Sequence, residues 1–193
     1  SYEKPLNFDK VWLMFQETDK NFKETDRRFK ETDKQFKETD KQLKETDQRI
    51  KELSNLFTSQ WGKLVESLVE GDLINLLNGR GIKVESVIQR RRGSRNGRNF
   101  EFDLIAINTR EVVIVEVKTT LRPDDVKDFL AKLEEAKFFM PDYRNMTIYG
   151  GMAFISADSG SEKMTENKGL FVIKATGGSS SIINGINFEP KKF

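Results

Sequence analysis

Histidine and cysteine are both absent from the 193 residues. Without His there is no Ser-His-Asp triad, no Cys-His pair and no imidazole metal ligand. Without Cys there is no disulfide framework, thiolate zinc site or iron–sulfur cluster. Any metal must be held by oxygen, which favours magnesium, manganese or calcium. Any proton transfer must use Asp, Glu, Lys, Tyr or water. The lack of Cys fits a reducing cytoplasm, where the protein is expected. No apolar run approaches the ~18 residues of a membrane span, and no h-region opens the chain. No membrane partner is therefore expected. Apolar residues are also few, 36% of the chain against about 45–50% in an ordinary soluble domain. Charged residues make up 33% and the mean hydropathy is −0.62. The 33 basic and 31 acidic residues leave a formal net charge of +2. Affinity for nucleic acid would therefore need a local concentration of charge.

The excess charge lies in the first 60 residues, which repeat every seven. Phe8, Phe15, Phe22, Phe29, Phe36, Leu43, Ile50 and Phe57 share one heptad position. Three residues later come Val11, Thr18, Thr25, Thr32, Thr39, Thr46 and Leu53. No Pro or Gly interrupts the pattern after Pro5. A strict period of seven predicts a left-handed coiled coil, roughly 75 Å long at ~1.5 Å per residue. Asp26–Lys30, Asp33–Lys37 and Asp40–Lys44 are spaced to pair along the helix, each worth about 0.2–0.5 kcal/mol. Thr is a poor apolar knob, so modest stability is expected of the seam. Self-association through residues 8–57 would cover it. A solvated single helix, or docking on another protein, are the alternatives.

Residues 61–193 have a globular composition. Residues 61–78 read as a helix with Leu64, Val65, Leu68, Val69, Leu73, Leu76 and Leu77 on a broad apolar stripe. Gly71 is a candidate kink, with Asp72 a candidate cap for the second half. Strands are expected at 84–90, 100–108, 112–119, 147–156 and 170–175, and a helix at 124–139. Residues 158–168 have room for a short helix. Residues 177–185, rich in Gly and Ser, read as a loop. The order predicts an α/β sandwich around a mixed sheet.

The chemistry falls on the two firmest strands. Alternation places Glu101, Asp103, Ile105 and Ile107 on one face of the first. It places Val112, Ile114, Glu116 and Lys118 on one face of the second. An antiparallel pair would bring Asp103, Glu116 and Lys118 together, with Glu101 beside them. Two carboxylates sharing a cation form a hard oxygen site suited to magnesium. Such an ion polarises a phosphoryl oxygen and acidifies a water, and a neighbouring Lys positions or deprotonates that water. A half-buried salt-bridge cluster is the plainer alternative. Glu116 and Lys118 interrupt an otherwise apolar run, however, where charge is costly unless paired or functional.

These residues resemble the PD-(D/E)XK nuclease superfamily, with Glu66 or Glu70 on a first helix, then Asp103, then Glu116-Val117-Lys118. Residues 61–193 further resemble a family of uncharacterised proteins that carry such a domain behind a heptad coiled coil. The matching phrases are Trp61-Gly62-Lys63-Leu64-Val65-Glu66, Val115-Glu116-Val117-Lys118-Thr119-Thr120-Leu121, Asp125-Val126 and Gly169-Leu170-Phe171-Val172-Ile173. Phe102 stands where the superfamily name has Pro. The resemblance implies a restriction-endonuclease-like αβββαβ core and magnesium-dependent phosphodiester cleavage, with manganese as an alternative ion. It assigns Asp103 and Glu116 to the metal, Lys118 to the water and Glu66 as a further metal contact. A solvent-facing carboxylate is the alternative for Glu66.

Arg90, Arg91, Arg92, Arg95 and Arg98, interspersed with Gly93 and Gly97, read as a flexible cationic loop that grips a nucleic-acid backbone. A solvated hairpin tip is the alternative. Phe138, Phe139, Pro141 and Tyr143 read as core, and Thr176–Ser181 as a turn lacking the Lys of a phosphate loop. The expected protein is thus a coiled-coil helix (1–60) followed by a nuclease-like domain (61–193). Its expected partners are DNA and other copies of itself. The rival reading is a catalytically silent DNA-binding or interaction scaffold, and an RNA substrate is a third possibility.

Overall fold

The computed structural model describes residues 8–193. Residues up to Asn55 form one compact unit and Leu56–Phe193 a second. Helix α1 (Phe8–Gly79) runs through both, without a break at Gly62 or Gly71. Among the described residues, no helix is long and apolar enough to cross a membrane.

In the first unit the heptad positions lie open. Phe15, Phe22, Phe29 and Phe36 are 67–72% exposed. The three expected Asp–Lys pairs all form at 2.7 Å, and Asp19–Lys23 adds a fourth. Thr18, Thr39 and Thr46 donate their hydroxyls to the carbonyls of Met14, Gln35 and Gln42. The hydroxyl is satisfied within its own helix, so these Thr are less polar seam residues than their composition implies.

In the second unit, six strands form one sheet in sequence order. They are β1 (Ser86–Arg95), β2 (Arg98–Ile107), β3 (Glu111–Leu121), β4 (Thr147–Ala157), β5 (Phe171–Thr176) and β6 (Ser179–Ile182). The first three pair antiparallel. β3, β4 and β5 are parallel, joined by crossovers through α2 (Pro123–Glu134) and α4 (Ser161–Asn167). A short α3 (Ala136–Phe139) follows α2. The leading order α-β-β-β-α-β is the one the resemblance implied.

Both faces of the sheet are covered. Val65, Val69, Leu73 and Leu77 of α1 pack on Leu104, Ala106, Val113 and Val115. Val126, Phe129 and Leu133 of α2 pack on Ile105, Val112 and Ile114 from the other side. That is why residues 112–115 are apolar without alternation and fully buried.

Several sequence expectations change. The arginine segment is a hairpin, with β1 running to Arg95 and β2 starting at Arg98. Asn96 and Gly97 turn it with φ of 50° and 76°, the type I′ geometry that Asn-Gly favours. Asp72 does not cap a broken helix; its carboxylate accepts the Ser180 N–H at 2.6 Å and the Ser180 hydroxyl at 2.9 Å. That contact secures β6, a strand within the stretch expected to be loop. The helix expected over 124–139 divides at Glu135.

Gly150 lies where α2 presses on β4. A Cβ there would collide with Leu133 and sit 2.8 Å from a Leu170 methyl. Gly150→Ala is therefore expected to cost about 1–3 kcal/mol as an overpacking change. Urea denaturation of the two proteins measures it.

Candidate active site

The register places the site. β2 and β3 pair from Ile107↔Val112 to Leu104↔Val115 and no further. β3 continues to Leu121 with β4 as its partner. At the point of separation the Asp103 carboxylate accepts the Val117 N–H at 2.8 Å. A side chain thus takes the place of the missing backbone acceptor. Glu116 and Lys118 project from the same stretch of β3.

Alternation in β2 breaks at Asp103. Phe100, Phe102, Ile105 and Ile107 all belong to the α2 side, whereas Leu104 and Ala106 face α1. Phe100 and Phe102 lie on the α2 side, so Glu101 between them faces the other way and is exposed, without the face-sharing that alternation predicts. Across from Asp103 in the β1–β2 register, Arg90 adopts φ 49°, a left-handed conformation that is uncommon for Arg.

The Glu116 side chain is 13% exposed. Lys118 Nζ lies 3.3 Å from its Oε1, and Lys132 Nζ, from α2, lies 2.8 Å from its Oε2. Asp125, in the first turn of α2, is 3.9 Å from Lys118 and accepts the Arg122 N–H at 2.9 Å. Burial pulls the Lys118 ammonium down, but Glu116, Asp125 and Asp103 outweigh it and the net shift is upward. Lys118 therefore acts here as a fixed positive charge. Asp103 is pushed up to about 6, first by burial and then by the charge of Glu116. The Val117 N–H opposes that rise, Glu66 adds to it, and Lys132 opposes it.

The remaining predicted residues fall into two groups. Glu66 reaches the neighbourhood of Asp103, but Arg90 holds both its oxygens, at 2.9 and 3.0 Å. Glu70 instead accepts a bond from Gln89. Arg91 pairs with Asp142 at 2.8 Å and lies over Tyr143. Arg98 pairs with Glu135 at 2.6 Å, and Arg95 and Arg98 both lie over Phe138. Arg92 is exposed and pairs with no acid among the described residues. Phe139 and Tyr143 are buried, as expected, whereas Phe138 is 38% exposed.

Asp103 and Glu116 offer only oxygen, the donor chemistry of a hard divalent cation, although Lys118 and Lys132 take both Glu116 oxygens. Among the described residues, however, no group of three or more acidic side chains is assembled as a cage. Lys132 and Asp125 were not singled out as site residues from sequence. Lys132 sits among the polar positions of an amphipathic helix, and only the crossover brings it over the sheet.

No protein-family model and no curated protein matches the chain. Among solved structures, it is similar to a repair endonuclease from Pyrococcus abyssi, at 20% identity over 55% of this chain and 46% of that one, with a TM-score of 0.38. It is also similar to EndoMS in apo form, at 17% identity over 55% and 45%, with a TM-score of 0.33. An EndoMS–dsDNA2 complex shows 16% identity over 54% and 42%, with a TM-score of 0.31. The chain thus spans less than half the length of each.

Asp103 gives the site a pH signature. Its folded pKa lies above its unfolded value of 3.8, so the folded state keeps a proton that the unfolded state has lost. Metal-free stability should therefore fall as pH rises from about 4 to about 6, by up to about 3 kcal/mol, and stay low above that. Asp103→Asn keeps an acceptor for Val117 and removes the penalty. Metal-free thermal unfolding should show the variant several degrees more stable at roughly pH 8, with the gap closing near pH 4.

Proposed function

We propose that this protein is a magnesium-dependent nuclease of the PD-(D/E)XK type that hydrolyses phosphodiesters in DNA. The observation that carries the proposal is the convergence of Asp103, Glu116 and Lys118 where β2 leaves β3. Asp103 and Glu116 would hold the ion, with manganese as an alternative to magnesium. Bound there, it supplies Lewis-acid polarisation of a phosphoryl oxygen and acidifies a water. Lys118, kept cationic by its acidic neighbours, orients the attacking water and offsets charge that develops on the phosphate. Glu66 is a further metal contact once Arg90 releases it. Arg90, Arg91, Arg92, Arg95 and Arg98 line the approach along the β1–β2 hairpin, and Arg92 is the one most available to a phosphate. Such contacts give affinity and salt dependence rather than sequence choice.

A second reading is a catalytically silent DNA-binding or interaction scaffold. The tie between Glu66 and Arg90 favours it, because the third acid is withheld from the site. Cleavage decides between the two. Purified protein should cut DNA from a panel of linear, nicked, branched and single-stranded forms, in magnesium or manganese. Asp103→Ala should abolish cutting, and Lys118→Met should lower kcat by about 10²–10⁴-fold. DNA binding without cutting at any metal concentration supports the scaffold.

The open seam of residues 8–57 carries a further part of the proposal, self-association through α1. A continuous row of exposed Phe is costly to leave in water. Sedimentation should give a mass above the 22.3 kDa of one chain. Phe22→Glu, Phe29→Glu and Phe36→Glu together should return it to that mass.

A further inference from the structure

Lys132 has an unusual position for a helix-surface lysine. Its Nζ is 2.8 Å from Glu116 Oε2 and 5.3 Å from the centre of the Phe102 ring, with the side chain 29% exposed. Lysine is ordinarily left in water, because fixing its four-carbon stem costs rotamer entropy. Here the stem is held inside the site, and the ammonium faces the same carboxylate as Lys118 but from another element.

The charges explain what this does. With Asp103, Glu116 and Asp125 ionised, three carboxylates face two ammonium groups, and Glu66 is separately neutralised by Arg90. One divalent cation added to this cluster leaves a surplus of one positive charge, which an incoming phosphodiester can offset. A second divalent cation would meet the same two ammonium groups and raise that surplus beyond what one phosphodiester can offset.

We propose that Lys132 is a positioning residue that anchors Glu116 from α2 and occupies the place of a second cation, making this a one-metal site. The proposal rests on the nuclease reading above. In the metal-free protein Lys132 also competes with the ion for Glu116. Removing it should therefore have opposite effects on metal binding and on turnover, a combination that simple destabilisation does not produce.

The test is manganese calorimetry and DNA cleavage on the full chain, comparing Lys132→Met, Lys132→Arg and Asp103→Ala with the parent. The parent should bind one manganese per chain. Lys132→Met should bind it about tenfold more tightly, through loss of a like charge. The same variant should lower kcat about tenfold or more, with KM for DNA within about twofold. Lys132→Arg, which keeps the charge, should stay near the parent in metal affinity. Two manganese per parent chain, or unchanged or weaker binding by Lys132→Met, overturns the proposal. If Lys132→Met fails to fold, an affinity for Lys132→Arg well away from the parent's overturns it as well. If Asp103→Ala binds manganese as the parent does, the nuclease reading itself fails. If it loses binding while Lys132→Met changes nothing, only the role of Lys132 fails.

Discussion

The site exists because two antiparallel strands stop pairing halfway along. Beyond Leu104↔Val115, β2 no longer supplies carbonyls to β3, and an unpaired N–H inside a covered sheet costs about 1–3 kcal/mol. Asp103 answers for Val117 with its carboxylate. That substitution brings an acid into a half-buried place that ordinary strand alternation would not create. Glu116, Lys118 and Lys132 are arranged around the gap where the strands part. The rest of the domain keeps β3 in place, with α1 against one face and α2 against the other.

The gap is poorly matched to stability. Asp103 sits near Glu116 and Glu66, and burial together with their charge pushes its carboxyl up to about 6. A purely structural sheet would carry a neutral acceptor there at lower cost. Lys132 limits the damage without removing it, since the Asp103 carboxyl still rises to about 6. Under the proposed nuclease reading, that cost would be the counterpart of a preorganised field.

Much of this was legible in the sequence. The heptads announced α1, and their Asp–Lys spacings became ion pairs. The run from Val112 to Val117, unbroken but for Glu116, announced a strand buried on both sides and flagged the charges within it. Other features were hidden for physical reasons. Strand alternation assumes a regular pleat, so it misplaced Glu101 once the pleat broke at Asp103. The short β6 is built of Ser and Ile and depends on Asp72, which is 108 residues away from Ser180 in the chain. Lys132 needed the α2 crossover before its neighbour was known. The Asn96-Gly97 pair, by contrast, was an available hairpin signal, masked by the surrounding arginines.

The position of β1 gives those arginines another consequence. β1 and β6 are the two margins of the sheet, and a bare margin offers unpaired N–H and C=O groups to any other extended chain. Proteins deter such edge-to-edge joining with charge, distortion and brevity. β1 carries four arginines and a left-handed residue at Arg90 that breaks its regularity, while β6 is only four residues long. A segment proposed to meet phosphate would therefore also deter the folded domain from growing into an aggregate.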